Sequence, residues 1–189
     1  MLNKLIETIA LVEQSSVADV VLYGLYFEKT TVTKNTIIDE QDKVPNYLYF
    51  VNSGFIRLFY YDANGEEQTN YLCATASFIA SFSSLINKTP ATENVECITD
   101  CELLRISVAN TKLLIEKSEN FKRFSLVMFE KALSSSAVRA NNLATLSGEQ
   151  RYAKMITEQP HFVQNIPLQY IASYLGIQPQ SLSRIRKNN

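Results

Sequence analysis

Residues 166–189 read IPLQYIASYLGIQPQSLSRIRKNN, and their pattern is that of two short helices around a tight turn. Ile171, Ala172 and Leu175 fall at helical spacing on one side of the first helix. Gly176 follows where the chain leaves that helix and needs a residue tolerant of positive φ. Ile177 returns to the core, and Gln178-Pro179 opens the second helix, with Pro at an early position where its missing N–H is no loss. Leu182 and Ile185 then point inward, leaving Gln178, Gln180, Ser181, Ser183, Arg184, Arg186 and Lys187 outward. This is the layout of a helix-turn-helix, whose second helix enters the major groove with its N-terminal half against base edges. Gln pairs bidentately with adenine and Arg with guanine, while Ser, Lys and the remaining Arg suit phosphates. The outward face carries three cations and no acid, unlike the solvated face of an ordinary amphipathic hairpin. The expectation is a face that contacts double-stranded DNA.

Working back from this tail, charge is unevenly distributed. The 189-residue chain has a net charge of −1, which by itself argues against nucleic-acid binding. Residues 151–189, however, hold five cations, Arg151, Lys154, Arg184, Arg186 and Lys187, against Glu158 alone. A basic end on an acidic body fits a DNA-contacting tail on a body with another task. Ser147-Gly148 punctuates the chain just before it, and Pro160 stops the amphipathic stretch Glu149 to Glu158.

Upstream lies a long helical pattern, from Glu119 to about Leu146. Leu126, Phe129, Leu133, Ser136, Ala140 and Leu143 recur along it at steps of three and four residues, a heptad seam. The small residues Ser134 to Ala137 would let two such helices approach closely. The expectation is a homodimer seam, which would also present two reading helices to successive major grooves; the competing arrangement is a stripe packed on its own β domain.

Residues 17–107 read as an all-β unit of short strands. The stretch VADVVLYGLYFEKTTVTKNTIID, beginning at Val17, is rich in Val, Tyr, Phe and Thr and is expected as strand. Asn52-Ser53-Gly54 and Ala63-Asn64-Gly65 are turn signals, so three strands are expected between about Tyr47 and Cys73. Thr92 to Ile98 and Cys101 to Ile106 are expected as the last two strands. Many short strands separated by turns indicate a barrel or rolled sandwich. A short helix is expected over residues 1–14 and another over Val108 to Lys117.

The 46% apolar content is that of a globular protein, and no apolar run approaches a membrane span. The N-terminus MLNKLIETIALVEQ is an amphipathic helix rather than a signal peptide. Cys73, Cys97 and Cys101 form an odd set without metal-like spacing and are expected as buried thiols in a reducing cytoplasm. His161 is the single histidine and is assigned no role. The expected strands hold no histidine, and their one acid–acid pair, Glu66-Glu67, sits at a turn tip, so an enzyme of the rolled-β kind is not indicated.

The order helix, β-roll, long helix and helix-turn-helix resembles the CRP/FNR family of transcription regulators over essentially the whole chain. GEQRYAKMITEQP followed by IPLQYIASYLGIQPQSLSRIRK is similar to the C-terminal domain of the branch typical of Bacteroidetes-type bacteria. YFVNSGFIRLFYYDANGEE is similar to the family's β-roll. The resemblance implies an α+β fold: a cyclic-nucleotide-binding-type jelly roll (residues 1–118), a dimerisation helix (119–146) and a winged-helix-like helix-turn-helix with its wing truncated (147–189). It implies Gln180, Ser181 and Arg184 nearest the bases. Pro179 stands where the family's cyclic-AMP receptor protein has a base-reading Arg, so the operator should differ. The partners implied are double-stranded DNA, a second copy and RNA polymerase, with no membrane.

Matching FIASFSSLINKTPAT to the family's phosphate cassette puts Ala80 at the Gly, Ser81 at the ribose-binding acid, and Ala91 and Thr92 at the Arg-Ser pair. The neutralising guanidinium is therefore absent, and nearby Lys88 is a flexible point charge without its bidentate geometry. Neither a cofactor nor tight cyclic-nucleotide binding is expected. The chain also lacks the family's N-terminal cysteine cluster. The sequence reading is a homodimeric DNA-binding transcription regulator indifferent to cyclic AMP. The alternative is a small-molecule sensor or adaptor whose helical tail binds protein.

Overall fold

The computed structural model describes the backbone of residues 1–188 and the side chains of residues 1–187. The expected truncation of the wing concerns Asn189, outside the described residues. In order the elements are α1 (Leu2–Ala10), α2 (Val17–Tyr26), β1 (Glu28–Val32), β2 (Thr36–Asp39), β3 (Tyr47–Ser53), β4 (Phe55–Tyr61), β5 (Glu67–Ala74), β6 (Ser77–Ile79) and α3 (Phe82–Asn87). There follow β7 (Asn94–Cys97), β8 (Cys101–Ser107), α4 (Val108–Lys117), α5 (Glu119–Thr145), α6 (Gly148–Glu158), α7 (Pro160–Asn165), α8 (Leu168–Tyr174) and α9 (Pro179–Asn188).

The strands make two four-stranded antiparallel sheets, ordered β1-β8-β3-β6 and β2-β7-β4-β5. Their facing sides are filled by alternate residues of each strand, among them Tyr49, Val51, Ile56, Leu58, Val95, Cys97 and Leu103. The two turn signals have different outcomes. Asn64-Gly65 closes the β4–β5 hairpin, with the Gly65 amide donating to the Asp62 carbonyl at 2.9 Å. The turn at Gly54 instead carries the chain from one sheet to the other, since β3 and β4 do not pair. Gly54 has φ +105, and a Cβ there would lie 2.5 Å from Cys101 Sγ and 2.7 Å from the Asp100 carbonyl, so this corner accepts no side chain. The three cysteines are free and buried, and burial pushes the Cys73 thiol up to about 12.

One expectation is corrected. Residues 17–26 form helix α2, not a strand, and the β unit begins at Glu28. The reason is local. Ser16 and Asp19 form a capping box, the Ser16 amide donating to Asp19 Oδ2 at 2.8 Å and the Asp19 amide to Ser16 Oγ at 3.2 Å. Asp19, Tyr23 and Phe27, four apart, are the buried positions. Val and Tyr content is a weak prior once caps and packing choose the helix. Asp19 also accepts from Asn120 Nδ2 at 2.7 Å and from the Ser118 hydroxyl, tying α2 to the start of α5. Burial raises its carboxyl, but the bonds from Ser118, Ser16 and Asn120 outweigh that and hold it at about 2.

Helices α1, α2 and α4 and the first turns of α5 cover the outer face of the β1-β8-β3-β6 sheet. Their cluster includes Leu5, Ile9, Tyr23, Phe50, Phe78, Leu114, Phe121 and Phe124. Phe78 and Phe124 pack with ring centroids 5.7 Å apart, which roots the long helix in the β domain.

Asp39 lies at one end of the sandwich, where Tyr49 donates its hydroxyl to Oδ1 at 3.3 Å while Oδ2 has no partner. Burial raises its carboxyl to about 6 from the ordinary 3.8. A carboxyl whose value is raised by folding binds its proton more tightly in the folded state. Stability is then greatest below the unfolded value and falls as pH rises from about 4 to 6. Asp39→Asn is expected to raise stability at pH 7 by about 2–3 kcal/mol and to flatten that slope, as read from melting temperatures across this range. An unchanged slope would assign it to another group.

Candidate nucleic-acid interface

Pro167 precedes α8, whose Ile171, Ala172 and Leu175 are buried. The exit from this helix is a Schellman motif. The Ile177 amide donates to the Ala172 carbonyl at 3.0 Å, the Gly176 amide to the Ser173 carbonyl at 3.0 Å, and Gly176 has φ +64. The turn is packed from outside, since a Cβ on Gly176 would meet Leu143 Cδ2 at 3.2 Å and one on Gly148 would meet Ile177 Cγ2 at 2.6 Å. Gln178 accepts from the Leu182 amide at 3.1 Å, which starts α9 with Pro179 as its first residue.

The faces of α9 divide as the sequence pattern requires. Leu182 is fully buried, and Ile185 is partly buried against the same apolar cluster. Gln178, Gln180, Ser181, Arg184, Arg186 and Lys187 are exposed, and Ser183 is half-buried. Among the described residues, none of the ion pairs uses Arg184, Arg186 or Lys187. Helix α6 supports this pair through buried Tyr152 and Met155, and its start carries a capping box between Ser147 and Gln150. Helix α7, not foreseen in the sequence, uses Pro160 as its first residue and buries Phe162. The structure therefore brings six of the seven expected residues onto one short helix, with Gln178 immediately before it, and leaves all but half-buried Ser183 exposed.

The other two groups of expected residues fare differently. Ala80, Ser81 and Ala91 are all buried, while Thr92 is exposed. Ala91 is held by main chain on both sides, its amide donating to the Lys43 carbonyl and its carbonyl accepting from the Asp42 amide, each at 2.8 Å. The Ser84 hydroxyl donates to the Pro90 carbonyl at 3.1 Å, which folds the loop before β7 onto α3. Beside α3 an open cleft of about 730 Å³ separates the roll from α5, lined among others by Leu58, Tyr71, Ala80, Phe82, Phe124 and Phe129. Its walls at that point are apolar and aromatic. Along α5, Leu126, Phe129, Leu133, Ser136, Ala140 and Leu143 are all exposed, Leu133 at 74%. Phe129 has an edge contact with Phe82 of α3 at 5.8 Å between centroids.

The sequence did not disclose how the helix-turn-helix seats on the roll. Strand β5 is the edge of its sheet, and its outward main-chain groups need partners. Ser173 of α8 accepts from the Thr69 amide at 2.8 Å and donates to the Glu67 carbonyl at 3.2 Å. Arg139 of α5 donates to the Tyr174 carbonyl at 2.6 Å and the Thr69 carbonyl at 3.3 Å, and it stacks on the Tyr174 ring at 4.1 Å. Leu72 of β5 and Ile98 join the apolar cluster of the tail.

Beside this seam lies Arg57 of β4, 1% exposed. Its guanidinium donates to Glu96 and Glu67, both at 2.5 Å, and to Thr69 Oγ1 at 3.4 Å. It lies 4.0 Å from the Phe59 ring centroid on one side and 3.7 Å from that of Tyr170 on α8. The one available signal was a cation in the middle of the apolar run GFIRLF.

Among the described residues no helix is long and apolar enough to cross a membrane, and no group of three or more His, Cys, Asp or Glu is placed to hold a metal ion.

Residues 29–118 match the model of the cyclic nucleotide-binding domain. No curated protein sequence matches the chain. Among solved structures, FixK2 from Bradyrhizobium japonicum superposes with a TM-score of 0.75 at 16% identity, covering 86% of this chain and 83% of that one. The c-di-GMP-responsive global regulator CLP of Xanthomonas campestris superposes with a TM-score of 0.72 at 17% identity, covering 92% and 91%. The catabolite activator protein of Thermus thermophilus gives a TM-score of 0.59 at 19% identity, covering 92% and 83%. At these identities the likeness establishes a shared fold.

Proposed function

For this chain, which carries a cyclic nucleotide-binding domain within the fold of the CRP/FNR transcription regulators, we propose a homodimeric, sequence-specific DNA-binding regulator and not an enzyme. The observation that carries the reading is the outward face of α9, where exposed Gln180, Ser181 and Arg184 stand over the early turns and Arg186 and Lys187 follow, with no acid among them. This combination suits base edges at one end and phosphates at the other. The exposed apolar stripe of α5 supports a twofold seam that presents two such helices to one duplex. Buried Ala91 where the resemblance implies an arginine supports indifference to cyclic AMP. A contact with RNA polymerase belongs to the same reading.

The test is selection of bound sequences from a random duplex library with purified protein and no added ligand. The expected result is a palindrome with half-site centres about one helical turn apart. Recovery of no motif, both alone and with metabolite extract, would overturn the reading in favour of a tail that binds protein. On the selected duplex, Arg184→Ala is expected to cost about 1–3 kcal/mol and relax preference at one position per half-site. Lys187→Ala is expected to weaken all sequences alike and to lower the salt slope by about one. Equal, sequence-independent losses in both variants would remove Arg184 from base reading.

A further inference from the structure

Arg57 is a buried charge, paired with buried Glu96 and exposed Glu67, placed where the sheet of the β-roll meets the helix-turn-helix. On the sheet side it is fixed by Glu96, its directly paired residue on β7, and by Glu67 on β5. On the other side its flat face lies against Tyr170, and the same seam is closed by the Thr69–Ser173 and Arg139–Thr69 bonds. A buried guanidinium held by two carboxylates and two rings has few other places of comparable energy, because a displacement away from Glu96 leaves that buried carboxylate unpaired.

We propose that Arg57 is a latch that couples the sensor sheet to the reading head. Glu96 and Glu67 hold its edge and Tyr170 is held on its face, so the angle of α9 follows strand β7. That strand begins two residues after Thr92, the last position of the cassette matched to the effector site, and Glu96 lies within it. A shift at the cassette therefore reaches the reading head along one strand and one side chain. The latch leaves the outward residues of α9 exposed, so it sets their direction and does not cover them. Its meaning as regulation rests on the DNA-reading function proposed above, but its physical content does not.

The Thr69 amide is a direct reporter, since its partner is Ser173 across the seam. Hydrogen exchange of the full-length protein, followed by NMR without DNA, is the experiment. Tyr170→Ala is expected to speed exchange at Thr69 roughly tenfold while the amides of β4 and of α8 keep their protection. Tyr170→Phe, which keeps the ring face, is expected to match the unmodified protein. Arg57→Lys retains the charge toward Glu96 but loses the planar fork, and should speed Thr69 as Tyr170→Ala does. If Tyr170→Ala also exposes the α8 amides, the head has unfolded and Arg57→Lys decides. Unchanged Thr69 exchange in the variants that keep α8 protected would overturn the latch. Because no duplex is present, that result is separate from any failure to recover an operator.

Discussion

Leu133→Asp is expected to yield monomers in sedimentation equilibrium, whereas the unmodified chain is expected to sediment as the proposed dimer. Leu133 is 74% exposed in the single chain and makes no contribution to its core, so the substitution should leave the melting of the isolated subunit nearly unchanged. In the proposed seam it would put a carboxylate at a buried heptad position facing its twofold mate, where neither charge is paired. The consequence for DNA is larger than for stability. A monomer offers one short helix to one half-site, and specific binding should fall toward non-specific affinity, a loss on the order of a thousandfold. The salt slope should fall as well, because half the phosphate contacts go. A dimer that survives this substitution would place the interface away from α5.

Arg57→Met is expected to be the most damaging single change to stability. Removing the cation leaves Glu96, 8% exposed, as an uncompensated carboxylate and strips Glu67 and Tyr170 of their partner. Breaking a buried pair from one side costs about 3–5 kcal/mol, which for a chain of this size lowers the melting temperature on the order of 10 °C. Replacing Glu96 by Met in the same protein should recover most of that loss, since two apolar side chains of similar volume need no compensation. The double variant then separates stability from coupling: a folded protein should melt normally yet show the fast Thr69 exchange of an unlatched head. Failure of the second replacement to restore stability would show that the pair acts through packing and not through charge.

The helix-turn-helix was legible from sequence because each of its features is local. Gly176 at a left-handed exit, Pro179 at a helix start, and Leu182 and Ile185 at helical spacing are short-range consequences of backbone sterics and amphipathic periodicity. The β4–β5 hairpin was legible for the same reason, through Asn64-Gly65. Helix α2 was not, because its Val- and Tyr-rich composition points to strand while the Ser16–Asp19 box and the four-residue spacing of Asp19, Tyr23 and Phe27 decide for helix. Those cues were present, but their weight came from Ser118 and Asn120, a hundred residues away in the chain.

What the sequence by itself determined is the coarse order of β unit, long helix and helix-turn-helix, the polar face of α9 and the apolar stripe of α5, each written in residues that are neighbours along the chain. Tertiary structure alone decided that Gly54 turns a corner between sheets, that Ala91 is locked into main-chain bonds, and that Arg57 is buried between the β-roll and the helix-turn-helix. These depend on which distant segments meet: Asp100 and Cys101 at the corner, Lys43 at the cassette, Glu96 and Tyr170 around the guanidinium. A period of two or of 3.6 tells which face of an element is buried, and carries nothing about what that face is buried against.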